Sequence, residues 1–237
     1  MGSLTFYFVY FGLLLADLIL INAQPSPFLR PVIEPLMIVL LLLHFRQEYS
    51  KDNTCDPRLI HIALGAILLG GVFLMYESPV YKFLVGFCFF LVANIAYTIL
   101  FYRCADLQVK RAFPFIIVAS VVAMTLLYIF YEYVGDYFIP ASVFLFVLLN
   151  CAQAAYLRYT LVNAQSYYFV FGGVILFFIS QVSAAVFHFI NRAEWLGMLI
   201  ITTFFISQFL IIKGVLKNKT VMTVAAKGPV LTDTADE

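Results

Sequence analysis

Three carboxylates sit inside stretches that are otherwise too apolar to hold charge: Asp17, Glu34 and Glu132. An ionised group near the centre of a bilayer costs at least ~2.5 kcal/mol, and such groups usually face the interior of a bundle. Asp17 and Glu34 each lie four residues outward of the middle of their stretch. At the helical rise that is a displacement of roughly 6 Å for both. Two carboxylates at one level of neighbouring helices can share a proton, which is the arrangement an acid–base pair needs. These two are the candidate catalytic residues. A structural role is also open to them. Arg30 lies one helical turn before Glu34 and could pair with it locally, and Asp17 could bond a neighbouring helix or face a wet groove. Glu132 lies at the outer end of its stretch, where it can reach water.

Amides form the second polar group at depth: Asn94, Asn150, Gln153, Gln181 and Gln208. Amides and hydroxyls within membranes commonly join helices, each bond being worth roughly 0.6–2 kcal/mol. Gly65, Gly70, Gly71, Gly172, Gly173, Ala184 and Ala185 allow helices to approach closely. The Gly70-Gly71 and Gly172-Gly173 pairs also leave room for a narrow ligand. The chain has four cysteines and three histidines. No C-x-x-C pair and no ligand spacing occurs among them, so neither a structural metal, a cofactor nor a disulfide framework is expected.

The elements that position these groups follow from composition. The 237 residues are 64% hydrophobic and 11% charged, whereas soluble domains are roughly half apolar and a quarter charged. A net charge of +1 gives no reason to expect a nucleic-acid partner. A bilayer span takes ~20 apolar residues, so the chain reads as an all-α polytopic transmembrane helical bundle. Its eight expected spans are 4–22, 31–45, 59–76, 80–102, 112–134, 140–157, 167–190 and 196–213. The first lacks the basic start and small-residue cleavage site of a removed signal, so it counts as a retained span. Pro31 suits the opening of span two, and Pro35 would loosen the backbone one turn deeper.

Eleven of the 14 Lys and Arg residues fall in the loops joining spans two to three, four to five and six to seven, or from Lys213 at the end of span eight onward; three fall on the opposite side. Basic residues gather on the cytoplasmic face, so both termini are expected in the cytoplasm. Residues 1–214 then form the transmembrane domain and 215–237 a polar, disordered cytoplasmic tail. Tyr128, Tyr131, Tyr133 and Tyr137 would form one interfacial belt, and Tyr156, Tyr159, Tyr167 and Tyr168 the other.

Five segments carry a resemblance. They are Ile33-Glu34-Pro35-Leu36 in span two, Leu68-Leu69-Gly70-Gly71-Val72-Phe73-Leu74 in span three, Phe83-Leu84-Val85-Gly86 with Ala93-Asn94-Ile95-Ala96-Tyr97 in span four, Gly172 through Gln181 in span seven, and Ser207-Gln208-Phe209-Leu210-Ile211 in span eight. In order and spacing the chain resembles the YhhN-type lysoplasmalogenase family over about residues 30–214. The resemblance implies an eight-span membrane fold with cytoplasmic termini. It also implies hydrolysis of the vinyl ether bond of lysoplasmalogens to a fatty aldehyde and a glycerophospho-head group. That reaction needs an acid to protonate the vinyl carbon, giving an oxocarbenium ion, and a base to activate the attacking water. The substrate-binding residues it implies are Gly70, Gly71, Asn94, Tyr97, Ser180, Gln181 and Gln208.

The chain departs from the family pattern at the reactive positions. Glu34 stands in place of a lysine, Gly71 of an aspartate, Asn94 of a histidine and Gln181 of an aspartate, while Pro35, Gly70, Tyr97, Ser180 and Gln208 match. Glycine moves no proton, and an amide is neither acid nor base near neutral pH. The resemblance therefore implies a protein handling lysophospholipid-type amphiphiles, with catalysis either lost or shifted to Asp17 and Glu34. Membrane lipid or lysolipid is the expected partner. A proton-coupled small-molecule carrier and a non-catalytic membrane assembly protein are the alternatives, the carrier being disfavoured by the lack of an inverted repeat. Short loops and the absence of an organelle signal point to a bacterial inner membrane.

Overall fold

A computed structural model describes residues 3–22, 30–50, 55–75, 80–106 and 108–218. The described residues form eight α-helices: α1 (Ser3–Asn22), α2 (Arg30–Glu48), α3 (Pro57–Met75), α4 (Val80–Tyr102), α5 (Val109–Val134), α6 (Phe138–Tyr156), α7 (Ala164–Phe189) and α8 (Glu194–Leu216). No β-strand occurs among them. Each helix overlays one stretch expected from hydrophobicity. Most are apolar around their whole circumference, as befits helices surrounded by lipid and by each other. α2 continues without interruption through Pro35, so the expected break is not made there. α8 runs on to Leu216, past the boundary at 214 set from the sequence. The remainder of the expected tail, from 219, lies outside the described residues.

Six stretches are long and apolar enough to cross a membrane, and the protein is a multi-pass integral membrane protein. One of the six runs from Lys110 to Tyr156 and contains both α5 and α6. α2 is not among them; Arg30, Glu34, Arg46 and Glu48 all fall within its 19 residues. The expected count of eight thus corresponds to the helices, while length and composition alone support six crossing stretches.

Two hairpins form the tightest packing, α3 with α4 and α7 with α8. Glycine explains both. A Cβ on Gly70 would lie 2.8 Å from the Phe90 ring and 3.0 Å from the Gly86 carbonyl oxygen. A Cβ on Gly173 would lie 2.9 Å from the Ser207 carbonyl oxygen, and one on Gly214 would lie 2.8 Å from the Val170 amide nitrogen. Small residues at these points let the backbones touch, the usual device where no hydrophobic effect drives helices together. Between α5 and α6 the chain reverses through a short turn at Gly135–Tyr137, with Gly135 at φ 51°, a conformation that glycine adopts without a Cβ penalty.

α1 closes the bundle on one side. Its Phe6 ring stacks on His44 of α2 at 3.8 Å, while Tyr7 and Tyr10 pack on Phe209 of α8. α5 leans mainly on α6, and from Lys110 to Tyr133 none of its side chains is buried. Tyr128, Tyr131 and Tyr133 are exposed at its far end, as expected of an interfacial belt. In the other expected belt Tyr159 and Tyr168 are exposed, but Tyr167 is buried and stacks on Phe171.

Candidate functional site

α4 presents Asn94 and Tyr97 three residues apart, hence on one face. Both are fully buried. The Tyr97 hydroxyl donates to Oε1 of Gln208 on α8 at 2.8 Å. The Gln208 amide nitrogen donates to the Ser207 hydroxyl at 3.3 Å, and that hydroxyl donates to the Phe204 carbonyl at 2.6 Å. Asn94 donates to the Phe90 carbonyl one turn back, at 3.1 Å, while its Oδ1 is buried with no hydrogen-bond partner among the described residues. Such an acceptor is costly to leave unpaired in a low-dielectric interior, and it marks the place where a polar atom of a ligand would be welcome.

α1 adds a second phenol. Tyr10 is fully buried and donates to the Phe205 carbonyl of α8 at 2.9 Å. Its acceptor lies one turn of α8 before Gln208, and its ring stacks on Phe209. The sequence reading missed Tyr10, because a tyrosine in an apolar run looks the same whether it faces lipid or a partner helix. Only the packing of α1 on α8 distinguishes the two.

Of the expected substrate-binding residues, the fold joins Tyr97 and Gln208 directly and puts Asn94 on the same face of α4. Ser180 is buried and donates to the Ile200 carbonyl at 3.0 Å, fixing α7 to α8 two turns away from Gln208. Gly70 lines no open space: Phe90 and the Gly86 backbone occupy it. Gly70 supports the site indirectly, because the same Phe90 whose ring it contacts supplies the carbonyl that holds Asn94. Gly71 has nothing within 4 Å of where a Cβ would sit, and Gln181 is half-buried. The room expected at the glycine pairs therefore survives at Gly71 and Gly172 and is filled at Gly70 and Gly173.

The two acids lie on α1 and α2, outside this network. Asp17 is fully buried on α1 and Glu34 half-buried on α2. The Phe6–His44 stack fixes the register of these antiparallel helices, and counting along both from that contact brings Asp17 level with Ile33 and Glu34. The side chain of Arg30, the alternative partner of Glu34, lies outside the described residues. Glu132 is exposed near the end of α5. Among the described residues no group of three or more His, Cys, Asp or Glu could hold a metal ion.

A further polar cluster caps one end of the bundle. Arg158, between α6 and α7, is 1% exposed. Nothing in the sequence separates it from the other basic loop residues, and only the convergence of α4, α7 and α8 beneath it buries it. Its guanidinium donates to the Ser166 hydroxyl at 3.3 Å, which donates in turn to the Gly214 carbonyl at 2.7 Å, and it lies over the Phe101 ring at 5.3 Å. Outside this cluster Asp56 bonds Arg103 at 2.7 Å and accepts the Arg58 backbone N–H at 3.0 Å; those two bonds hold its carboxyl below the usual range.

The YhhN family model matches residues 29–215. Neither the curated proteins nor the solved structures give a match. The matched region covers α2 through nearly all of α8 and leaves α1 outside, although α1 is the helix that brings Asp17 and Tyr10.

Proposed function

Since the chain belongs to the YhhN family, we propose that it is a lysoplasmalogenase-like membrane protein that handles lysophospholipid-type amphiphiles. The observation that carries this reading is the buried polar face of Asn94, Tyr97 and Gln208 between α4 and α8. A single-chain amphiphile offers an apolar tail to such a bundle and a few ether and hydroxyl oxygens to the polar face. The phenol and the amides bind and orient oxygen atoms; they do not move protons near neutral pH.

Vinyl ether hydrolysis needs both an acid and a base, and in this chain the work falls to Asp17 and Glu34. One, protonated, gives its proton to the β-carbon of the vinyl ether. Water, losing its proton to the other, adds to the resulting oxocarbenium carbon. The hemiacetal then collapses to fatty aldehyde and alcohol. The buried setting of Asp17 and its level with Glu34 support this assignment. A second reading, binding without hydrolysis, is favoured by the amide and glycine at the family's ionisable positions, Asn94 and Gly71. In both readings all eight helices cross the bilayer, the basic ends of the helices and both termini face the cytoplasm, and the membrane is a bacterial inner membrane.

The test is aldehyde release from lysoplasmenylethanolamine by the purified protein. Release that is lost in both Asp17→Asn and Glu34→Gln supports hydrolysis by these acids. No release, with a lysolipid co-purifying and identified by mass spectrometry, supports binding alone. Neither release nor bound lipid overturns both readings in favour of an assembly role, and substrate-driven proton flux in liposomes overturns them in favour of a carrier.

A further inference from the structure

The capping cluster around Arg158 contains two thiols that the proposed activity does not use. Cys55, from the connection between α2 and α3, is buried; Cys104, just past the end of α4, is partly exposed. The Asn218 side-chain amide, beyond α8, lies 2.9 Å from the Cys55 sulfur and 3.8 Å from the Cys104 sulfur. One nitrogen therefore holds both sulfurs. The backbone is anchored on each side: the Tyr49 hydroxyl donates to the Cys55 carbonyl at 2.9 Å, and the Cys104 N–H donates to the Phe101 carbonyl at 3.0 Å.

The charge pattern separates the two thiols. Arg158 is almost wholly buried, and its Nε and Nη1 have no hydrogen-bond partner among the described residues. The ionisable groups that face it are Cys55 and Cys104. A hydrogen bond to Cys104, and then burial, push the Cys55 thiol well above the usual range, so Cys55 keeps its proton and donates it toward the Cys104 sulfur. Cys104, partly exposed where Cys55 is buried, is the sulfur within reach of water and faces the same buried guanidinium. Accessible cysteines beside a cation and a second thiol are those that oxidise reversibly.

We propose that Cys104 and Cys55 form an oxidation site at which a peroxide converts two thiols into one intramolecular disulfide. The Cys104 thiolate attacks one oxygen of hydrogen peroxide; the S–O bond forms, the O–O bond breaks, and hydroxide leaves. The sulfur is oxidised by two electrons to sulfenic acid while the peroxide is reduced. The Cys55 sulfur then displaces the sulfenic hydroxyl, the S–S bond forms, and the departing hydroxide takes the Cys55 proton to leave as water. The bond ties the α2–α3 connection to the end of α4, over the face that α8 closes with Asn218. Cys88 and Cys151 serve as internal controls: Cys88 is exposed on α4 and Cys151 buried on α6.

The experiment treats the reduced full chain, in nanodiscs, with hydrogen peroxide, blocks the remaining thiols, and reads the digest by mass spectrometry without reduction. The expected product is a Cys55–Cys104 linked peptide, with Cys88 and Cys151 still blocked by the alkylating reagent. In Cys55→Ser, dimedone should trap Cys104 as the sulfenic acid; in Cys104→Ser, Cys55 should stay reduced. Adding Arg158→Gln to Cys55→Ser removes the cation beside Cys104 and should slow dimedone labelling of Cys104. Absence of the linked peptide, prior oxidation of Cys88, or unchanged oxidation of Cys55 in Cys104→Ser would each overturn the proposal. The cysteine variants decide the matter even if Arg158→Gln does not fold.

Discussion

The phenol of Tyr97 reaches Oε1 of Gln208 at 2.8 Å, joining α4 to α8 across 111 residues of sequence. The two backbones stay apart at this level. Among the described residues no Cα of one helix comes within 8 Å of a Cα of the other. Large side chains span the gap, with Phe90 facing Phe204 further along the same two helices.

Tyr97→Phe leaves the Gln208 carbonyl buried without its donor. The expected cost is about 1–2 kcal/mol, toward the upper end for hydrogen bonds within a membrane. Replacing both partners, in Tyr97→Phe with Gln208→Leu, should cost less than the two single changes added together, because no unsatisfied acceptor remains. Thermal unfolding in detergent measures all three; strict additivity would mean that the bond contributes nothing.

Tyr10→Phe should cost less than Tyr97→Phe, about 0.5 kcal/mol. The acceptor that it abandons is the main-chain carbonyl of Phe205, which lies inside α8 and keeps its helical hydrogen bond. The comparison of the two melting temperatures checks the order, and a larger loss in Tyr10→Phe would contradict it.

Adjacent glycines on α7 should respond with opposite sign. Gly172→Ala meets nothing within 4 Å and replaces a poor helix former, so it should stabilise by about 0.5–1 kcal/mol. Gly173→Ala puts its methyl 2.9 Å from a backbone oxygen and 3.0 Å from a backbone nitrogen of α8. Backbone cannot step aside as a flexible side chain can, and the cost should be about 1–3 kcal/mol. The same contrast is expected of Gly71→Ala and Gly70→Ala on α3, softened at Gly70 because part of the obstruction is the Phe90 ring. Equal melting temperatures within either pair would refute the packing assignment.

The Asp56 carboxyl is held below its ordinary value by the Arg58 N–H and the Arg103 guanidinium. A depressed folded-state value means that its contribution is fully present above the unfolded value of about 3.9 and is lost as pH falls through the folded one. A pH titration of Asp56→Asn against the parent should therefore show the two melting curves converging at acid pH. Because the pair is exposed, the separation near neutral pH should be small. A gap that widens on acidification would reverse the assignment.

Hydrophobic run lengths were enough to place all eight helices, because a bilayer helix must satisfy its own backbone and cover itself with apolar side chains over a fixed length. The order of Pro35, Gly70, Tyr97, Ser180 and Gln208 was enough to suggest the family. What a span does not reveal is which way its side chains face, for a helix that is apolar all round carries almost no directional signal. Only the packing decided that Tyr97 meets Gln208, that Gly70 and Gly173 seat other backbones while Gly71 and Gly172 do not, and that Tyr10 turns inward. Arg158 is the sharpest case. In the sequence it is one basic loop residue among several, and it became a buried cation facing two thiols only when segments from α4, α7 and α8 converged on it.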